Sequence, residues 1–454
     1  TGEFNMTQIS YMVGINDPRY FSKCFTELGV NASVNGIDFG TLRDYRLRVV
    51  KTMVGGLAGL LAHRGITVFR ANAAFHADET APATSNHIVH LVPSPDQSDI
   101  LTYHKADVPE PSGPTMDLTA TNIVIATGAK PRPLPGNPFA GALIDSTQAL
   151  EVNEFPSSAV IIGAGAIALE FASMWNAAGS KVTLLIRKDR VLSAWDRRAG
   201  TTLTRELKRH GVNIITRASV THVDTGANLG ATVHYTCEGQ DGEQSVWGEI
   251  ALVAIGRDPI TDPAWGVTID DHGHVATDAY GRTDKPGVWA VGDVTAGHAL
   301  AHRAFEQGIV IAETIAGLNP KPVDEATVPQ IVFSFPEAAS VGLTVEQAQA
   351  REDLIDIKET NYPMLATARM LMSGTAGSLT IVSGCDAANP DTPRVLGVHM
   401  VSQMASDIIA EAEQLVGNHV PLADAARLVH PHPTFSETLG EALLKADGRP
   451  LHTR

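Results

Sequence analysis

Cysteine is scarce in this 454-residue chain: Cys24, Cys237 and Cys385 are the only three, and no Cys-x4-Cys pair exists. Three scattered thiols cannot build a disulfide framework, and each reads as structural. Long apolar runs are missing too. The best, Met53-Val-Gly-Gly-Leu-Ala-Gly-Leu-Leu-Ala62, is flanked by Lys51, His63 and Arg64 and falls short of the ~18 uninterrupted residues of a membrane span. Positive charge is in deficit, with 34 Lys and Arg against 50 Asp and Glu and a net charge of −16. That balance disfavours polyanions such as nucleic acid and acidic membrane surfaces. No secretory signal is recognised at the start of the chain, so a reducing cytoplasm is the expected compartment. Nor does an N-terminal G-x-G-x-x-G with a downstream acidic ribose ligand occur.

What is present describes a globular protein, 44% apolar and 19% charged, long enough for about three domains with substantial cores. Residues 6–29 read as two short helices around Gly14-Ile-Asn16, with Asp17 as N-cap and Pro18 at the first helical position. Helical periodicity runs from 40 to 64 and stops at Gly65. Strands are predicted at Ile66–Arg70, His87–Val92 and Thr121–Ala126, the last as a buried strand, with a polar, proline-rich interval before Pro114. A linker carrying Pro131, Pro133 and Pro135 follows.

From Ala159 the pattern alternates: strand Ala159–Ile162, helix to about Ala178, strand Lys181–Ile186, helix near Asp196–His210, strand Val212–Thr216. That βαβαβ order predicts a parallel, doubly wound sheet. Its first turn is Gly163-Ala-Gly165-Ala-Ile-Ala168. Gly163 makes the turn, Gly165 lets a pyrophosphate approach the backbone, Ala168 packs helix on strand, and the helix N-terminus faces the phosphates. At the end of the second strand, an NAD-preferring site places a carboxylate on the ribose. Here Ile186 is followed by Arg187, Lys188 and Arg190, cations that suit a 2′-phosphate, so NADP is expected ahead of NAD. The alternative is a solvated basic turn.

Near the C-terminus stands His430-Pro-His432-Pro-Thr-Phe-Ser-Glu437. Pro431 and Pro433 stiffen the backbone around His432. A helix starting at Thr434 would return Glu437 to the ring, and a carboxylate on one ring nitrogen makes the other a better general base. Surface histidines on a rigid loop are the plainer alternative.

This octapeptide resembles the C-terminal signature of lipoamide dehydrogenases, flavin enzymes that pass electrons between a dithiol and a pyridine nucleotide. The resemblance runs from about Gly29 to the end. It implies that His432 is the catalytic base acting on a thiol of the partner subunit and that Glu437 orients it. It also implies that Val288-Trp-Ala-Val-Gly-Asp293 is the second flavin motif, with Asp293 on the ribityl chain, and that the helix from Ala301 faces the flavin's pyrimidine edge. Thr127-Gly128 matches the domain-crossover loop, and Gly256 joins the cofactor-binding set. Glu170 matches a glutamate that meets a lysine of the redox helix. That helix is missing, which leaves Glu170 as an orphan. The segment Gly179–Leu192 is more similar to glutathione reductase, an NADP enzyme. Residues 6–29 instead resemble the second helix-turn-helix of AraC-type regulators, although Arg19 and Lys23 are offset by Asp17 and Glu27, and DNA binding is not expected.

The expected architecture is therefore α/β. It comprises a foreign segment 1–29, a truncated flavin domain at 30–150 and 283–325, a nucleotide domain at 151–282, and an α+β dimerisation domain at 326–454. The expected cofactors are FAD, weakly held, and NADP or NAD; the expected partners are a second copy of the chain and a small dithiol or lipoyl domain. Three functions compete: a dithiol oxidoreductase impaired in this chain, a non-catalytic NADP-binding dimeric scaffold, and a DNA-binding fusion.

Overall fold

A computed structural model describes residues 37–76, 86–103, 110–226, 230–374 and 376–453. The helix-turn-helix-like segment and Cys24 lie outside them. The described chain divides into two compact units, one containing 131–256 and 326–454, the other 38–130 and 257–325. This division groups 131–150 with the glycine fingerprint and 257–282 with Asp293, whereas the sequence borders stand at 150 and 282.

In the first unit the alternating pattern folds as expected. Strands Asn213–Ile215, Lys181–Leu185, Ser158–Ile162, Ile250–Val253 and Leu143–Ile144 lie side by side in that order, and every pair is parallel. The central strand Ser158–Ile162 is buried on both faces except at Ser158, which explains its continuous apolar run. Helices Ala166–Ala177 and Arg197–Arg209 connect the strands. Asp196 caps the second helix by accepting from the Ala199 amide at 2.8 Å. Leu169, Ala172, Trp175, Leu184, Leu203 and Leu252 share one core. A three-stranded antiparallel meander, Ala218–Asp224, Ala231–Cys237 and Gln244–Gly248, follows.

Residues 326–454 form the α+β element that the sequence predicts. Strands Gln330–Val332, Glu337–Gly342, Asn389–Ser402, Ser378–Asp386 and Leu354–Tyr362 make an antiparallel sheet in that order. Helices Ala405–Gly417 and Glu437–Ala446 share a core with it, including Leu379, Met400, Ile409, Leu415, Leu439 and Leu443. The last helix begins at Glu437, three residues later than expected. Thr434 remains outside it, with its hydroxyl donating to the Pro431 carbonyl at 2.7 Å.

The second unit opens with helix Phe39–His63, capped by Asp38. It stops at His63, and Gly65, with φ of +69°, turns the chain away just beyond it. There the Ile66 amide reaches the Leu61 carbonyl and the Gly65 amide the Ala62 carbonyl, a closure that needs left-handed backbone. Strand His87–Val92 lies between Asn72–Phe75 and Met116–Ala120. The polar, proline-rich interval before Pro114 contains strands Leu101–Tyr103 and Glu110–Pro111. The expected buried strand at Thr121–Ala126 is shorter, Ile123–Ile125, and only Ile125 is buried, with Val124 43% exposed. Among the described residues its sheet has one other strand, Val288–Ala290, paired in parallel. A two-stranded sheet leaves its apolar run partly uncovered.

Candidate active site

The glycine turn is built as the fingerprint demands. Gly163 has φ of +143°, and a Cβ there would lie 2.2 Å from the Ala254 carbonyl oxygen and 3.4 Å from the Ala168 Cβ. Ala168 is fully buried, so the helix is pressed onto the strand at this point. Gly165 differs: a Cβ there would meet nothing within 4 Å. It is the N-cap of helix Ala166–Ala177 and supplies no side-chain cap. The space beside Gly165 at the start of that helix is open and no side chain caps it, an arrangement that fits a nucleotide pyrophosphate. Gly256, with φ of +134°, accepts from the Arg132 amide at 3.1 Å.

The basic turn separates into two parts. Ile186 is buried, whereas Arg187 and Lys188 are exposed. Arg190 is folded back on its own loop: Nη1 donates to Asp189 at 3.1 Å and Nη2 to the Ser193 carbonyl at 3.2 Å. Its side chain is only 17% exposed. Arg187 and Lys188 are thus the two cations of this cluster that project into solvent.

Glu170 is not an orphan. Its carboxylate accepts from the Phe333 amide at 3.0 Å, so a backbone donor at the start of the C-terminal region satisfies it. Burial pushes its carboxyl above the usual glutamate range, partly opposed by that hydrogen bond.

In the second unit, Gly292 has φ of +76°, and its amide donates to Gln307 at 3.0 Å, tying the Asp293 turn to helix Ala301–Ile315. Leu300, the helix N-cap, offers no side-chain cap. Asp293 lies 3.9 Å from Arg257, a partner that the sequence reading missed. The Thr127 hydroxyl donates to the Ile260 carbonyl at 2.7 Å, and Gly128 accepts from the Ile260 amide at 2.9 Å, holding Gly128 at φ of +70°. These residues fit the ring and ribityl half of a flavin. No G-x-G-x-x-G for its pyrophosphate occurs in this unit.

His432 and Glu437 do meet, with Nδ1 to Oε2 at 2.6 Å. The ring is 72% exposed and the carboxylate 12%. Glu437 sits in the first turn of its helix, where the N-terminal end favours its charge. Accepting from Nδ1–H, it leaves Nε2 as a lone-pair base. The neighbouring His430, unassigned by sequence, is a structural counterpart. Its Nε2 lies 2.8 Å from Glu411, and it rests against Gly440, where a Cβ would come within 2.3 Å of the ring. Glu411, nineteen positions upstream, gives no local sequence signal for this pairing.

The described cysteines, Cys237 and Cys385, are both buried and free. They occupy different sheets, and burial pushes the Cys385 thiol up.

The family model of pyridine nucleotide-disulphide oxidoreductases matches residues 14–308, and that of the family's dimerisation domain matches 328–443. The chain belongs to the pyridine nucleotide-disulphide oxidoreductase family. It is similar to the dihydrolipoyl dehydrogenase of Geobacillus stearothermophilus, 31% identical over 431 residues, covering 94% of this chain and 84% of that protein. Similarity to the dihydrolipoyl dehydrogenase of Cupriavidus necator is 37% over 341 residues, 74% of this chain and 70% of that one. Among solved structures, LpdA of Mycobacterium tuberculosis shares the fold, with a TM-score of 0.79 at 23% identity over 93% of this chain and 86% of that chain. The HOCl-induced flavoprotein disulfide reductase RclA of Escherichia coli superposes with a TM-score of 0.64 at 25% identity, covering 76% of each chain.

Family membership makes this a flavin-dependent oxidoreductase of the dihydrolipoyl dehydrogenase type, with FAD and a pyridine nucleotide as the implied cofactors and a C-terminal domain that dimerises. Among the described residues no helix is long and apolar enough to cross a membrane.

Proposed function

We propose that this polypeptide retains the nucleotide-binding and dimerising parts of a dihydrolipoyl dehydrogenase-type oxidoreductase but is impaired in dithiol turnover. The observation that carries this is the state of the thiols. A dithiol reaction needs a nearby disulfide to accept the electron pair before the flavin does. Cys237 and Cys385 are buried, free and on separate sheets, and the sequence has only one cysteine more. His432 and Glu437 are then an acid/base pair without a thiol to deprotonate. FAD would supply hydride transfer when bound. Asp293, Gly128 and the N-terminal end of helix Ala301–Ile315 would hold its ring and ribityl chain, and weak FAD binding is the expectation for this polypeptide, whose flavin unit carries no G-x-G-x-x-G.

In this reading Gly163, Gly165 and Ala168 hold the pyridine nucleotide, and Arg187 with Lys188 favours NADP over NAD. Where turnover persists, the substrate is a small dithiol or a lipoyl group, and a reducing compartment such as the cytoplasm suits the free thiols. The purified chain is tested for flavin by absorption and for oxidation of dihydrolipoamide with NAD and with NADP. The expected result is substoichiometric flavin and negligible turnover. Full flavin occupancy with turnover near the ordinary enzyme median of about 10 per second would overturn the proposal. Light scattering checks assembly, with a homodimer expected at micromolar concentration.

A further inference from the structure

Among the described residues, one group of metal-ligating side chains converges away from the sites above: His222, Asp224 and His234, each offering an atom within 4.8 Å of the others. All lie on the meander of the nucleotide-binding segment. His222 and Asp224 come from strand Ala218–Asp224 and His234 from Ala231–Cys237, and the two histidines are direct register partners.

Local backbone irregularity produces this pairing. In a regular strand Val220, His222 and Asp224 would share a face. The register shifts between Val220 and His222, and the extra residue, Thr221, re-phases the strand. Val220 and Val223 consequently both pack against the apolar core, while His222 and Asp224 turn to the outer face beside His234.

The rings stack with centroids 4.1 Å apart and 8° between planes, and each ring has a carboxylate at both ends. On the Nδ1 side, Glu243 lies 3.7 Å from His222 and 3.6 Å from His234, held by the Thr221 hydroxyl, which donates to it at 2.6 Å. On the Nε2 side, Asp224 lies 3.2 Å from His234 and 3.9 Å from His222. Two neutral imidazoles carry only two N–H groups for these four approaches. As the rings stand, His234 Nε2–H donates to Asp224 at 3.2 Å, closer than either approach to Glu243; with both N–H groups turned to Glu243 instead, two Nε2 lone pairs and the Asp224 carboxylate converge with no donor among them. A cation completes such a set. Glu243 then occupies the outer position that, in metal centres, orients a ligating histidine and raises its basicity.

We propose that His222, Asp224 and His234 bind one divalent transition-metal ion, of the class represented by Zn²⁺, with Glu243 as the orienting carboxylate. Ligand atoms on a tetrahedral ion with bonds near 2.0–2.1 Å are about 3.3 Å apart. The 3.2 Å approach already meets that spacing, and the 3.9 Å one would close with a rotation of the exposed His222 ring about χ2 that turns its Nε2 toward Asp224. Two imidazoles and one carboxylate select zinc, nickel or copper over magnesium or calcium. The surface position leaves the remaining coordination site to water.

The test is calorimetric titration of the full chain, stripped with chelator, against ZnCl₂ and, separately, MgCl₂. One Zn²⁺ per chain and no Mg²⁺ binding are expected. His222→Ala, His234→Ala and Asp224→Asn should each weaken zinc at least ~10-fold, and Glu243→Gln by roughly 10- to 100-fold. Circular dichroism of the metal-free variants should match the parent, since all four side chains lie at the surface of the sheet. A variant with all three cysteines changed to serine should keep its zinc. Absence of zinc binding in the parent, or undiminished binding in the His222→Ala/His234→Ala double variant, would overturn the assignment.

Discussion

The Glu437 carboxylate, 12% exposed, lies 2.6 Å from Nδ1 of His432, whose ring is 72% exposed. The buried partner thus fixes the tautomer of the exposed one. In Glu437→Ala, Nδ1–H loses its acceptor and the ring should relax to the mixed tautomers of a free imidazole. Glu437→Gln, with an amide oxygen in the same place, should restore much of the bias. Nitrogen-15 shifts of the labelled ring read this directly, and unchanged signals in the alanine variant would remove the orienting role.

The second histidine–glutamate pair responds to pH. The hydrogen bond from His430 to Glu411 raises the imidazole above its ordinary value, against the opposing effect of burial. The folded protein therefore holds that proton more tightly than the unfolded chain. The stabilisation is complete below the ordinary histidine value and disappears as pH rises through the raised one. Comparing the parent with Glu411→Gln by urea denaturation should show a gap of about 1 kcal/mol near pH 5.5, with Glu411 34% exposed and partly screened. That gap should shrink by about pH 8.5. A gap that grows with pH would reverse the assignment.

Two glycines two positions apart should fail differently. Gly163→Ala combines strained φ with a 2.2 Å approach to the Ala254 oxygen and should cost about 3 kcal/mol of stability. Gly165→Ala meets no atom within 4 Å, so the protein should melt normally while nucleotide affinity falls. Thermal melts paired with nucleotide titration distinguish these outcomes. Normal affinity in Gly165→Ala would argue against pyrophosphate at this turn.

The basic turn predicts a similar division. Arg187→Glu should lower NADP affinity by roughly 10- to 100-fold, the loss of one charge-assisted hydrogen bond, and move preference toward NAD. Arg190, engaged by Asp189 and the Ser193 carbonyl, should instead lose stability as alanine, on the order of 1 kcal/mol, with cofactor ratio nearly unchanged. Calorimetry with both nucleotides checks the pair; equal shifts at the two positions would refute the division.

Much of this protein was legible along the chain because the deciding physics is local. Alternating apolar strands and helices specify the parallel sheet, Gly163 and Ala168 specify the close helix–strand approach, and Asp196 and Gly65 mark helix ends through backbone groups only a few residues away. His432 and Glu437 met for the same reason, being five positions apart. Tertiary structure decided the rest, because partner choice between distant segments has no periodic signal. It gave Glu170 the Phe333 amide and His430 the Glu411 carboxylate, and it folded Arg190 back onto its own loop. One extra residue at Thr221 changed the face of every side chain that follows in its strand, bringing His222 opposite His234. A period-2 pattern cannot anticipate that shift, since its cause is the cross-strand register rather than the composition of either strand.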